Sequence, residues 1–418
     1  MTLSLSPEER AVAAGKHGAG AAMAMRIAAD SARLLGAQRL IPIASAHIDG
    51  ALYHGDSGTL FAERLVEGGA KVAVRATLNV GALDLTGCSQ VRLAGPERGM
   101  ARRMMDAYRA LGCETSWTCA PYQAGHRPAS GTDVAWGESN AVVFCNSVLG
   151  ARTNRYGDFL DIACAIAGRA PDYGLHRPEN RRPKVRFDLS ALPRGFLGSE
   201  IAWPILGNLY GREVGDAVGI VTGVAGDPGE DALKTFGAAA ASSGAVGLFH
   251  MDGVTPEAKA GALADGSEFD QEIRVTEEMV RAAQARLSTA ERSDRIDAVA
   301  IGSPHLSLAE FDALERLLAG RRLSVPIYAC TGRHNLPELE RRGSRKALET
   351  AGVVIVADTC VVVTPILEPL NGGVLMTNSG KFAHYAPANT GYSVLYASLA
   401  DCVESAVAGR PSIRWHEP

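Results

Sequence analysis

Between residues 297 and 356, short apolar runs alternate with amphipathic stretches, and no other feature of the chain constrains its fold as strongly. Asp297-Ala298-Val299-Ala300-Ile301 reads as a strand. Ser307-Leu308-Ala309-Glu310 has the spacing of a capping box, in which a hydroxyl and a carboxylate satisfy backbone donors at a helix start. That helix runs to Leu318 and closes at Gly320. Val325-Pro326-Ile327-Tyr328-Ala329 is the next strand, residues 336–351 are helical by spacing, and Gly352-Val353-Val354-Ile355-Val356 is a third strand. The β-α-β-α-β order implies an α/β fold with a parallel sheet and right-handed crossovers. In such a sheet, ligands bind beyond the carboxyl ends of the strands. That rule selects two loops, Gly302-Ser303-Pro304-His305 and Ala357-Asp358-Thr359-Cys360, expected on one edge. Cys360 is either core filling or a metal ligand, and the nearness of Ser303 and His305 favours the ligand.

The rest of the chain reads less cleanly. Ser6-Pro7-Glu8-Glu9 is a helix start. Residues 19–35, 59–67 and 100–111 have helical spacing, and 40–44 and 71–74 read as strands. Each of these two strands leads to a polar loop, 45–50 and 77–79. Val142-Val143-Phe144 and residues 217–221 read as buried strands, and the Arg- and Pro-rich stretch 176–184 as an exposed connector. For 418 residues two or three domains are expected. The boundaries fall near Tyr210 and Arg286, giving 1–210, 211–285 and 286–418.

Charge and cysteine usage exclude several classes. The formal charge of −4 lacks the positive field that polyanions require, which argues against nucleic-acid binding. No apolar run approaches the roughly 18 residues of a membrane span, and the N-terminus has no secretory pattern. A cytoplasmic protein is expected. The eight cysteines include no C-x-x-C, so a metal site would gather its ligands from distant loops.

Other candidate residues lie in loops. Cys119, in Thr118-Cys119-Ala120-Pro121, sits ahead of an extended x-Pro step rather than in a core run. The densest polar stretch runs from Trp136-Gly137-Glu138-Ser139-Asn140 to Asn146 and on through Arg152-Thr153-Asn154-Arg155. Arg152 and Arg155 suit bidentate capture of a carboxylate. His47 with Asp49, His176 and His305 are candidate proton donors or acceptors. Lys381 follows Asn378-Ser379-Gly380 and is either a substrate contact or a surface lysine; the stretch lacks the glycine and hydroxyl of a phosphate loop.

In this order the segments resemble the large subunit of the aconitase X family across nearly the whole chain. Carrying the resemblance are Ser45-Ala46-His47-Ile48, Gly55-Asp56, Thr77-Leu78-Asn79, Thr118-Cys119-Ala120-Pro121-Tyr122 and Ala135-Trp136-Gly137-Glu138-Ser139. Asn146 through Arg155, Gly174-Leu175-His176, Pro304-His305, Asp358-Thr359-Cys360 and Asn378-Ser379-Gly380-Lys381 continue it. The resemblance implies an aconitase-like multi-domain α/β/α architecture and an iron–sulfur dehydratase. It implies catalytic roles at His47, Asp49, Glu138, His305 and Lys381. Substrate contacts fall at Ser45, Asp56, Thr77, Asn79, Ser139, Asn146, Arg152, Thr153, Asn154, Arg155 and His176. Cys119 and Cys360 match the ligand cysteines. Where cluster-bearing relatives have Gly-Cys-Pro-His, this chain has Gly302-Ser303-Pro304-His305. A hydroxyl is a poorer ligand for iron–sulfur clusters than a thiolate, so a two-iron cluster or mononuclear iron is expected rather than a four-iron cluster, with Ser303 or Cys145 completing the site.

The same serine points to the branch that dehydrates cis-3-hydroxy-L-proline to Δ1-pyrroline-2-carboxylate. The alternative substrates are mevalonate 5-phosphate or another hydroxy acid. An iron-responsive RNA-binding protein is the alternative of another class. The resemblance also implies a small swivel domain that supplies the base; no segment of this chain is left for it, so a small-subunit partner is expected.

Overall fold

The computed structural model describes residues 3–259, 263, 268–290, 293–370 and 372–414. The chain forms two compact units, Met1–Leu83 with Leu93–Arg182, and Asp84–Arg92 with Pro183–Pro418.

The first unit contains strands β1 (Leu40–Pro42), β2 (Ser45–Ile48), β3 (Arg75–Leu78), β4 (Ala135–Trp136) and β5 (Arg169–Pro171). Strands β3, β2 and β4 make a parallel sheet in that order, with His47 opposite both Thr77 and Trp136, while β1 and β5 pair antiparallel. The capping box at Ser6 and Glu9 is present.

Local expectations needed correction here. Residues 45–48 are the central strand of this sheet, not a loop, because their polar side chains are buried and hydrogen-bonded to one another's neighbours. Thr77 and Leu78 likewise belong to a strand. Residues 71–74 do not: the Val72 and Ala73 amides donate to the carbonyls of Leu111 and Ala165 instead of joining a ladder. Val142-Val143-Phe144 lies inside the helix Ser139–Ser147, almost all of it buried. A helix enclosed on every side carries no 3.6-residue periodicity, so its apolar run mimics a strand.

The second unit contains β6 (Val185–Asp188), β7 (Gly219–Thr222), β8 (Phe249–Met251), β9 (Gln271–Arg274), β10 (Ala298–Leu306), β11 (Ile327–Thr331), β12 (Val353–Ala357), β13 (Val374–Thr377) and β14 (Ser393–Tyr396). One parallel sheet has the order β8-β7-β6-β9 and the other β12-β11-β10-β13-β14. The alternation from residue 297 onward therefore forms the parallel sheet expected, and the α/β class with parallel sheets holds. Its core packs Val299, Ile301, Phe311, Leu314, Ile327 and Met376 between the sheet and its helices.

Three details differ. Residues 302–305 remain within β10, whose register against β11 shifts between Ile301 and Leu306, so the polar segment is an irregular stretch of strand rather than a loop. Residues 336–351 form two helices, Leu336–Arg341 and Ser344–Ala351, interrupted at Gly343. Tyr210 lies inside the helix Ala202–Val214.

The capping box at Ser307 and Glu310 is present, and its glutamate has a second task. Lys234, 1% exposed on the helix Glu230–Ser243, pairs with Glu310 and, at 2.9 Å, with Asp231. Its ammonium also reaches the His305 carbonyl at 3.4 Å, and Ser307 Oγ donates to Asp231 Oδ2 at 2.7 Å. A buried lysine is costly unless its charge is matched. Burial pulls its pKa down, but the two carboxylates outweigh that and raise it.

Candidate active site

The first unit gathers His47, Thr77, His126 and Ser45 by strand register. Neighbouring positions on β2 and β3 place the His47 Nδ1 2.8 Å from Thr77 Oγ1. The same hydroxyl lies 2.7 Å from His126 Nδ1, and His126 Nε2 lies 2.8 Å from Ser45 Oγ. Burial, with His126 adding to it, holds the His47 pKa well below the ordinary value. Burial and then the charge of Arg75 lower that of His126 to about 4. Both imidazoles are therefore neutral near pH 7.

Asp49 follows β2. Its amide donates to Asp161 Oδ2 at 2.6 Å and its carboxylate accepts from the Asn79 side chain. Asp161 is fully buried, and burial with the neighbouring Asp49 charge raises its pKa to about 8 against three backbone donors. Asp56 is exposed at a helix start, where it accepts from Tyr53.

The segment from Glu138 to Arg155 is organised largely by its own hydrogen bonds. Glu138 caps the helix Ser139–Ser147, accepting from the Ala141 amide at 2.7 Å and from the Ser139 hydroxyl at 3.2 Å. Asn146 and Thr153 exchange two bonds, Asn146 Nδ2 to the Thr153 carbonyl and the Thr153 amide to Asn146 Oδ1. Arg181, 2% exposed, donates to Asn146 Oδ1 and to the carbonyls of Asn146, Leu175 and Ala151. Asn154 bonds the backbone of Tyr173 and Leu175. Gly174, at φ +56°, is required there: a Cβ would sit 2.2 Å from Asn154 Oδ1. His176 uses both ring nitrogens, toward Tyr156 Oη at 2.6 Å and Asp133 Oδ1 at 2.8 Å. Arg152 lines a polar cavity of about 610 Å³ with Asp133, Asp172, His176 and Arg177, while Arg155 is exposed and outside that lining. The two arginines are thus not presented together.

Cys119 is buried, and its carbonyl accepts from Asn140 Nδ2 at 3.0 Å. Cys145 is packed in an apolar cluster with Trp136, Ala141 and Phe144, and burial pushes its thiol far up in pKa.

In the second unit, the carboxyl edge of β10, β11 and β12 carries a second collection. Cys360 lies in hydrogen-bond contact with the thiol of Cys330 and with Ser303. The Cys330 contact lowers its pKa against the effect of burial, aided by the Val362 amide, the Lys381 charge and the Ser303 hydroxyl. Cys330 stands on β11, the strand between β10, which carries Ser303, and β12, which leads to Cys360. Gly302, at φ +89°, lets β10 press onto that strand; a Cβ there would lie 2.2 Å from the Cys330 carbonyl oxygen. His305 Nε2 lies 3.2 Å from the Thr359 carbonyl, and burial lowers its pKa to about 3. His334, just past β11, has two buried ring nitrogens without hydrogen-bond partners. Lys381 is half-buried on the helix Gly380–Thr390.

Sequence reasoning missed His126, Asp161, Arg181, Cys330 and His334. Cys330 alone had a signal: a parallel order of three consecutive strands makes the middle one a neighbour of both others. As for a metal, the thiols of Cys360 and Cys330 are donors of the soft class that iron–sulfur centres use, and the lowered pKa of Cys360 favours the ligating thiolate. Among the described residues, no group of three or more His, Cys, Asp or Glu is gathered closely enough to hold a metal ion.

A multi-sheet α/β protein whose thiols and polar side chains collect at the carboxyl edge of a parallel sheet is the class that fold and site define. The chain matches the aconitase X first domain over residues 2–179, the second over 183–285 and the third over 296–408, and it belongs to the aconitase X family. The cis-3-hydroxy-L-proline dehydratase of Pseudomonas aeruginosa is 42% identical over 413 residues, covering 96% of this chain and 70% of that protein. The phosphomevalonate dehydratase large subunit of Methanothermobacter thermautotrophicus is 37% identical, covering 91% and 93%. The crystal structure of Thermococcus kodakaraensis aconitase X in its holo-form has a TM-score of 0.85 at 32% identity, covering 97% of this chain and 100% of that one.

Proposed function

We propose that the protein is a hydro-lyase that dehydrates cis-3-hydroxy-L-proline to Δ1-pyrroline-2-carboxylate, together with a small swivel subunit and in the cytoplasm. The observation that carries this reading is the 42% identity, sustained over 413 residues, to a dehydratase named for that substrate. The dehydratase of the same name from Hypocrea jecorina supports it at 37% identity over 98% of the chain.

In the reaction the C2 proton leaves and the 3-hydroxyl departs. An iron centre, when bound, supplies Lewis-acid assistance to the departing hydroxyl. The family resemblance implies Cys119 and Cys360 as its ligands, and Ser303 lies beside Cys360; a hydroxyl in place of a thiolate favours a two-iron or mononuclear centre over a four-iron one. Arg152, in the lining of its polar cavity, would hold the substrate carboxylate. His47 is neutral and buried, so it holds a proton at one ring nitrogen and accepts at the other, as a general acid or base requires. Lys381 adds positive charge near Cys360 and His305, which favours anionic substrate and thiolate.

The test is turnover of cis-3-hydroxy-L-proline by iron-loaded protein with its small partner, followed by appearance of the imine. No turnover with full iron loading refutes the substrate. A second reading has its own support: the chain covers 93–99% of phosphomevalonate dehydratase large subunits but 69–70% of the hydroxyproline dehydratases. Mevalonate 5-phosphate in the same assay separates the two.

A further inference from the structure

Ser45, His126, Thr77 and His47 form an unbroken chain of hydrogen bonds at 2.8, 2.7 and 2.8 Å. All four residues are buried. One end of the chain is committed to Ser45, whereas His47 Nε2, at the other end, is buried without a hydrogen-bond partner. A hydroxyl owns one proton, so between two neutral imidazoles it donates to one and accepts from the other. Thr77 therefore couples the two rings: when His47 Nδ1 carries its proton and donates to Thr77, Thr77 must donate to His126 Nδ1. Reversing either bond reverses both.

We propose that these four residues are a proton relay, in which the Thr77 hydroxyl is the positioning group that sets which ring nitrogen of His47 carries the proton and His126 takes the charge. The proposal rests on the reading of His47 as a proton-handling group. A proton taken up at His47 Nε2 releases the Nδ1 proton to Thr77 Oγ1, and Thr77 passes its own hydroxyl proton to His126 Nδ1. One proton has entered, His47 is again neutral with its tautomer reversed, and His126 is an imidazolium whose Nε2–H donates to Ser45. Donation runs the same steps backward. Both rings pack against Trp136, His126 at 4.9 Å and His47 at 5.6 Å between ring centroids. Between them the charge falls to His126, which is 2% exposed against 0% for His47 and has the Glu114 carboxylate to favour an imidazolium, against burial and the larger opposing effect of Arg75.

Histidine-selective 15N NMR of the full chain reads ring-nitrogen protonation without turnover. In the parent, His47 shows a single tautomer. Thr77→Val, which removes the hydroxyl but keeps the shape, shifts the His47 ring nitrogens; Thr77→Ser keeps the parent pattern. His126→Asn keeps a polar group toward Thr77 but cannot carry the charge, so it preserves the His47 tautomer while kcat falls about 100-fold or more at unchanged KM. Unmoved His47 nitrogens in Thr77→Val, or undiminished kcat in His126→Asn, overturn the relay. Failure of the parent to turn over cis-3-hydroxy-L-proline, with the NMR pattern as expected, overturns the substrate assignment and leaves the relay standing.

Discussion

Replacing Lys234 by methionine removes a fully buried ammonium while nearly preserving its volume. The substitution leaves Glu310 and Asp231 facing each other without their shared cation, and leaves the His305 carbonyl without that donor. Breaking a buried ion pair from one side costs about 3–5 kcal/mol, most of it the uncompensated charge left behind. For a unit of this size each kcal/mol moves the melting temperature by about 2 °C, so the expected loss is about 6–10 °C. Calorimetry at pH 7 measures it. Glu310→Gln and Asp231→Asn added to Lys234→Met remove the stranded charges, and the triple variant should recover most of the loss. The dependence on pH has a definite sign. Burial lowers the Lys234 pKa, but Glu310 and Asp231 raise it above 10.5 in the folded state. Its contribution is therefore fully present below 10.5 and fades as the pH rises through the folded-state value, so parent and variant converge in strong alkali. A Lys234→Met protein melting within about 2 °C of the parent at pH 7 would refute the reasoning.

Cys119→Ala and Cys360→Ala should each abolish iron binding, read as iron and sulfide content of anaerobically prepared protein; retained iron in both shows the ligand set to be wrong. Ser303→Cys should change the visible absorption spectrum toward that of a larger cluster, and an unaltered spectrum counts against a metal near Cys360. Asp161, with a folded-state pKa of about 8, contributes stability that is lost as the pH rises from its ordinary value of 3.8 through 8. Asp161→Asn should flatten that part of the stability–pH curve, measured by urea unfolding, and a slope equal to the parent's contradicts the assignment. Arg181→Met deprives three carbonyls of a buried donor at about 1–3 kcal/mol each; a drop below about 1 kcal/mol in urea unfolding means that water or neighbours replace it.

What the sequence made legible depended on whether a residue's task was local. The capping boxes at Ser6 and Ser307 need only hydroxyl and glutamate at fixed spacing, and both are present. The strands around Val299, Ile327 and Ile355 were visible because a parallel sheet buries both faces and leaves continuous apolar runs. Strand β2 was hidden for the opposite reason: Ser45 and His47 look like loop residues until partners 30 and 81 positions away satisfy them. Arg181 sits in a stretch that reads as an exposed connector, yet its guanidinium is buried against carbonyls up to 35 positions distant. His126 follows a glycine and lies among polar residues, with nothing in its local pattern to mark it. Long-range hydrogen bonding leaves no periodic trace, and much of the candidate site is built from it.

The close fit at Gly302 gives position 303 a particular freedom. The strand carrying Ser303 is seated on its neighbour through backbone contact, where no side chain acts as a shim. The anchor of residue 303 is then indifferent to what that residue bears, and a hard oxygen or a soft sulfur can be mounted on the same bracket. The iron centre proposed above would then change its electronic character by the exchange of one atom at position 303, with the glycine contact kept.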